Sequence, residues 1–184
     1  MQIRNDERRY GAVAQLLHWS IVVLIITQFT LAIKADSLSL GPAKISVLAQ
    51  HKSFGMTIFA LAALRLIWRL VNPVPAMPET TARWQRVVAH ISHGALYALI
   101  LITPLFGWMM SSARNFPVSW FGLFTFPDLV QPDRARYEFF HEVHEILALT
   151  LAGIAILHVA AALKHHFLDR DDVLRRMLPV KPKP

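Results

Sequence analysis

The amino-acid sequence predicts an all-α protein that crosses a membrane as a transmembrane four-helix bundle, with both termini cytoplasmic. Three observations carry that expectation. Of the 184 residues, 54% are hydrophobic and only 17% are charged, against about 25% charged in an average soluble domain. Residues 11–33, 87–113 and 146–163 contain no Asp, Glu, Lys or Arg, and about 20 apolar residues suffice to cross a bilayer as a helix. Lys and Arg also concentrate on one side of the resulting topology. A soluble enzyme, a disordered chain and a secreted disulfide scaffold are all poor descriptions of such a sequence.

The first span is expected over about 12–33. It follows a charged start (Arg4, Asp6, Glu7, Arg8, Arg9) but is too long for a signal-peptide core, and no small-residue cleavage pattern follows it, so it reads as a retained helix. The second, about 48–71, is the least marked, because its uncharged core covers only 53–64 before Arg65 and Arg69. Those arginines either snorkel to an interface or face a polar interior. The third span, about 85–112, contains Pro104, where a bend is expected. The fourth runs over about 139–166.

Residues 36–42 read as a polar turn, and 72–78, with three prolines, cannot continue a helix. Residues 115–136 hold three more prolines together with Trp120, Phe121, Phe124 and Phe126. That composition suggests a loop on the membrane surface with its aromatics at headgroup level. Nothing repeats, so residues 1–184 form one membrane domain.

Thirteen Lys and Arg fall at the two ends of the chain and in the connection between spans two and three, against six on the other side (Lys34, Lys44, Lys52, Arg114, Arg134, Arg136). The positive-inside rule then places both termini in the cytoplasm. It also accounts for the formal charge of +7, so no nucleic-acid partner is called for. The absence of cysteine excludes disulfides, thiolate-bound zinc and cysteine-bound iron–sulfur clusters. Covalent haem attachment through Cys-x-x-Cys-His is excluded as well.

Nine histidines remain as metal ligands, and histidine inside a span is a candidate functional residue. His144 and His158 are 14 residues apart on the fourth span. At about 100° and 1.5 Å per residue they face the same way, about 21 Å apart along the axis. His51 should lie level with His144, and His18 near the level of His158. Two imidazole pairs, each shared between two helices, suit two low-spin haem b groups. A lone histidine would more often be a hydrogen-bonded packing residue; the joint arrangement argues for ligation.

His93 is an alternative to His18 as ligand, while His141 reads as interfacial. The run His141-Glu-Val-His144-Glu145 lacks the His at i+4 that a zinc-protease motif requires. Gly55, one turn after His51, either lets a porphyrin lie close or serves helix packing. Arg65 either pairs with a propionate or a quinone oxygen, or snorkels. His165, seven residues after His158, either exchanges protons at a quinone site or belongs to a basic interfacial patch.

The chain resembles the bacterial cytochrome b561 family from about Arg9 to Met177. The likeness rests on Arg9-Tyr10, His18-Trp19, His51-Lys-Ser-Phe-Gly55 and Arg65 to Arg69 with the proline-rich turn after it. It continues through His90-x-x-His93-x-x-x-Tyr97, His144, Leu157-His158 with Lys164-His165-His166, and the tail from Asp169 to Met177.

The resemblance implies a multi-pass di-haem b protein of the bacterial inner membrane that passes electrons from a periplasmic-side donor to the quinone pool. In one branch of the family the donor is superoxide and the acceptor ubiquinone. Carried over by position, the iron ligands would be His18 and His158 for the inner haem, and His51 and His144 for the outer one. His93 and His165 fall where the family has further histidines near the inner haem and the quinone; His141 matches no family role. The segments from Lys164 to Asp172 and from Val118 to Gly122 look closer to members linked to a small periplasmic lipid-binding partner. The alternative function is therefore a haem-bearing membrane anchor serving a separate periplasmic redox or lipid-binding partner.

Overall fold

The computed structural model describes residues 2–7, 9–78 and 81–180; Arg8, Lys181 and Lys183, counted above for orientation, lie outside them. Four long helices dominate: α1 (Ala12–Ser37), α2 (Pro42–Leu70), α3 (Arg83–Ala113) and α4 (Arg134–Lys164). Each is long and apolar enough to cross a membrane.

α2 begins six residues before its expected start. Pro42 occupies the first helical turn, where its missing N–H breaks no helical hydrogen bond, so it opens the helix instead of belonging to a turn. The link from α1 shrinks to residues 38–41, and His51 lies well inside α2 instead of opening it. α3 continues through Pro104. α4 starts earlier than expected because Asp133 caps it, its Oδ1 accepting the Arg136 amide at 2.7 Å.

The α-helical geometry of α4 stops at Lys164. His165–Asp169 form a π-helical turn that ends in left-handed Arg170 (φ 55°), followed by a short 3-10 turn at Arg175–Met177. The extra residue in a π turn changes the angular phase of whatever follows it.

α1 packs along α2 and α3 along α4, and the two antiparallel pairs meet through α2 and α3, whereas α1 and α4 hardly approach each other. The buried side chains are few, among them Ile21, Leu31, Val47, Met56, Ile58 and Leu151. Large apolar residues such as Leu16, Ile33, Ile156 and Leu157 remain about 70% exposed. Helices whose outer faces meet lipid tails have that distribution, since hydrocarbon is as apolar as leucine.

The two ends of the bundle differ. At the termini face, the chain ends are stitched together by side chain to backbone bonds. Gln15 Nε2 donates to the carbonyls of Tyr10 (3.0 Å), Arg176 (3.3 Å) and Leu178 (3.2 Å). Trp19 Nε1 donates to Met177 O at 2.8 Å, and Asn5 Nδ2 to Pro73 O at 2.9 Å.

At the opposite face, β1 (Ser119–Trp120) and β2 (Phe124–Thr125) form a small antiparallel hairpin. Its turn has positive φ at Phe121 (49°) and Gly122 (75°), closed by Leu123 N donating to Trp120 O at 2.9 Å. Positive φ at both central residues is the turn type whose twist suits a tight hairpin. The hairpin is tied to the helices beneath it. Ser53 Oγ donates to Ser119 O and accepts the Phe121 amide, both at 3.0 Å. Trp120 Nε1 donates to Thr57 Oγ1 at 3.0 Å, and Trp108 Nε1 to Pro127 O at 3.0 Å. The indole N–H groups find partners on the helices, and the loop closes over that end of the bundle.

Candidate functional site

α4 is the common element of the site. Near the termini face the His158 ring lies 6.4 Å, centre to centre, from His18 of α1 and 5.3 Å from His93 of α3. Near the hairpin face the His144 ring lies 6.3 Å from His51 of α2. The structure thus brings together all four candidate ligands as two facing pairs, with His93 beside one of them. The His18–His158 pair bridges α1 and α4, the two helices that otherwise scarcely meet.

The His51–His144 pair opens on a cavity of about 610 Å³, lined also by Gln28, Gly55 and Gly107. That is within the roughly 300–1,000 Å³ of small-molecule and cofactor sites. His51 Nδ1 and Gln28 Oε1 are buried there without a hydrogen-bond partner. Gly55 serves helix packing as well as lining the cavity, because a Cβ there would come within 3.0 Å of Gln28 Nε2. His144 is held differently: its Nδ1 donates to the backbone carbonyl of Thr103 at 2.9 Å. A carbonyl only accepts, so a proton sits on Nδ1, which in the neutral ring leaves the lone pair on Nε2.

Arg65 is not a free snorkeller. Its Nη1 donates to the carbonyl of Ala14 at 2.7 Å, one helical turn before His18. Arg69 lies over Tyr97, 5.9 Å from the ring centre.

His165 is the first residue of the π-helical turn, and its ring meets the tail that follows. Its Nδ1 contacts Asp171 Oδ2 at 2.6 Å and Asp169 Oδ2 at 3.3 Å, while Lys164 Nζ holds both oxygens of Asp169 at 2.8 and 2.6 Å. Of the remaining histidines, His90 Nδ1 contacts Arg86 O at 2.6 Å and His141 lies near Tyr137 at the cavity mouth.

Among the hairpin-face cations, Lys52 is committed to the carbonyls of Phe116 and Pro117 and to Ser111, and Arg134 to Glu138. Sequence reasoning missed Gln28, Gly107 and the Thr103 carbonyl. A glycine inside an otherwise apolar span was the available signal.

The sequence profile of prokaryotic cytochrome b561 matches residues 9–180. The chain belongs to that family. Cytochrome b561 homolog 2 of Escherichia coli K12 is 31% identical over 97% of this chain and 95% of its own length. A probable superoxide oxidase of Yersinia pestis is 25% identical over 95% and 98%, and cytochrome b561 homolog 1 of E. coli K12 is 24% identical over 93% and 97%. As a cytochrome b561 family member this is a multi-pass bacterial membrane protein, and the family implies haem b. The residues present suit that group: the cavity offers two imidazole rings, one with a buried, unpartnered nitrogen, with no thiolate to compete.

Proposed function

We propose that this protein is a membrane di-haem b electron carrier. It takes electrons from a donor at the hairpin face and delivers them to the quinone pool, ubiquinone being the expected acceptor. The observation that carries this reading is the pair of imidazole separations, 6.4 and 6.3 Å, at two levels of one helix. Two imidazoles sharing one metal ion through bonds of about 2 Å hold their ring centres roughly 6 Å apart. Both pairs satisfy that spacing. The 5.3 Å between His93 and His158 is too short for it, which favours His18 over His93 as the partner of His158.

In this reading His18 with His158 would hold one haem, and His51 with His144 the other. Bound haem b supplies a one-electron couple that no amino-acid side chain here provides. The chain's own residues do the rest. The Thr103 carbonyl fixes the tautomer and orientation of His144. Arg65 sets a positive charge beside the termini-face histidines, where it favours a bound anion. His165, paired with Asp171 at the membrane boundary, can hold and release a proton for quinone chemistry.

Under the positive-inside rule the termini face is cytoplasmic and the hairpin face periplasmic, in the bacterial inner membrane. The Yersinia relative's description as a probable superoxide oxidase supports superoxide as a donor.

The absorption spectrum of purified protein tests the reading first: reduced b-type bands are expected, and their absence ends it. His158→Ala and His144→Ala should each lose one haem and keep the other; either variant retaining both overturns the ligand assignment. His165→Ala should keep both haems and slow quinone reduction, and unchanged quinone kinetics would remove His165 from that role. Stopped-flow mixing with superoxide or with a quinol then identifies the donor by which of them reduces the protein.

A further inference from the structure

Gly107 of α3 faces His144 across the α3–α4 contact. A Cβ built on Gly107 would lie 3.0 Å from His144 Cε1, 3.1 Å from Nδ1 and 3.8 Å from Nε2. Optimal contact between carbon atoms is about 3.5–4.0 Å, so a side chain at 107 would press on the imidazole and force it to give by a few tenths of an ångström. Gly11, at the N-cap of α1, is crowded by the backbone of Ile3 and Arg4; the remaining glycines differ. Gly41, Gly94, Gly122 and Gly153 have open space at that position, and Gly55 meets only the movable end of Gln28.

The position of Gly107 follows from helix geometry. In an α-helix each Cα–Cβ bond tilts toward the N-terminus, so the side chain of residue i+4 stands over the carbonyl of residue i. Gly107 is i+4 from Thr103, whose carbonyl accepts the His144 Nδ1 proton. A carbonyl has two lone pairs, one of them left over by the helical bond. Only a residue without a side chain at 107 leaves that second lone pair open to a ring on a neighbouring helix.

We propose that Gly107 and the Thr103 carbonyl together form a seat that positions His144, fixing its proton on Nδ1 and presenting Nε2 as the lone-pair nitrogen. This rests on the reading that His51 and His144 hold one haem, and it names the residues that set one ligand's geometry. Both are positioning residues. Among the described residues no corresponding hydrogen bond is seen for His158, so the two haem sites should differ in how firmly their α4 ligand is oriented.

The test compares the holoprotein with Gly107→Ala and with Gly153→Ala, a change of the same size at an open helical position. Three readouts are needed: haem per protein, haem affinity by titration of haem-depleted membranes, and the low-spin EPR signals of the two ferric centres. Gly107→Ala should weaken one haem by about 10–100-fold, the usual cost of losing a ligand's orienting partner. It should shift or broaden that centre's EPR signal and leave the other unchanged; Gly153→Ala should alter neither. Gly107→Ala with wild-type affinity and an unshifted signal overturns the seat.

His144→Ala separates the two claims. If it leaves both haems bound, the haem reading itself fails. If it removes one haem while Gly107→Ala leaves that haem untouched, only the seat fails. Should Gly107→Ala not fold, ¹⁵N-histidine spectra of the reduced wild-type protein decide instead. A protonated, slowly exchanging Nδ1 on His144 is expected, and a solvent-exchanging Nδ1 overturns the proposal.

Discussion

Replacing Lys52 by methionine removes an ammonium while keeping most of the apolar stem. Lys52 Nζ donates to Pro117 O at 2.8 Å, Phe116 O at 3.2 Å and Ser111 Oγ at 3.3 Å, and sits 3.4 Å from the centre of the Phe116 ring. The shortest of these is charge-assisted and worth about 1.5–3 kcal/mol where water is excluded. The two longer bonds add about 0.5 kcal/mol each, and the ring contact about 0.5–1 kcal/mol at a partly exposed site. Water reaches part of the group, so the sum is discounted to about 2–3 kcal/mol. For a chain of this size that corresponds to a fall in Tm of about 4–12 °C, accompanied by faster amide exchange over residues 114–118. Thermal unfolding in detergent and hydrogen exchange measure both. A Tm within about 1–2 °C of wild type would refute the reasoning and show that water replaces the ammonium at those carbonyls. If stability held while the salt dependence of reduction by an anionic donor flattened, Lys52 would be a steering charge, not the clasp that joins α2 to the end of α3.

Gln15 is 3% exposed and its amide nitrogen reaches three carbonyls, two of them in the C-terminal tail. Gln15→Leu removes these bonds but also removes the buried, unpartnered Oε1. The expected net cost is about 1–2 kcal/mol, with faster limited proteolysis between residues 170 and 180; a tail as resistant as wild type would show that it is held by other contacts. Asp171→Asn keeps the acceptor for the Val173 amide (3.0 Å) but loses the charged partner of His165. Chemical denaturation should show a loss of about 1–2 kcal/mol with both haems retained, and an unchanged midpoint would reduce the His165–Asp171 pair to a surface ion pair.

Much of the architecture was legible because its cause is local. Uncharged runs of 18 to 27 residues leave a lipid-embedded backbone no option but to satisfy its own hydrogen bonds as helix. The alignment of His144 and His158 on α4 follows from helical periodicity alone, and matching rings on α1 and α2 by depth placed His18 and His51 opposite them. At residue 42 the local rule gives way to its context. Pro42 reads as a turn residue, yet it opens α2, because the first turn of a helix accepts proline. The bonds of the Trp120 and Trp108 N–H groups to Thr57 and Pro127 join residues far apart in sequence and are not legible in it.

His165 shows the boundary between the two kinds of information. Its identity and spacing from His158 are properties of the string, but its partner Asp171 is brought to it by the π-helical turn between them. The His144 seat is more remote still: the ring and the carbonyl it bonds are 41 residues apart in sequence. By itself the sequence determined the number of spans, their apolar character and which histidines share a helical face, since each depends on neighbours within a few turns. The tertiary structure alone decided which rings come within 6.4 Å of one another, which glycine makes room for an imidazole, and which cations are already taken. Those outcomes depend on how two helices approach each other, a distance that no interval along one chain encodes.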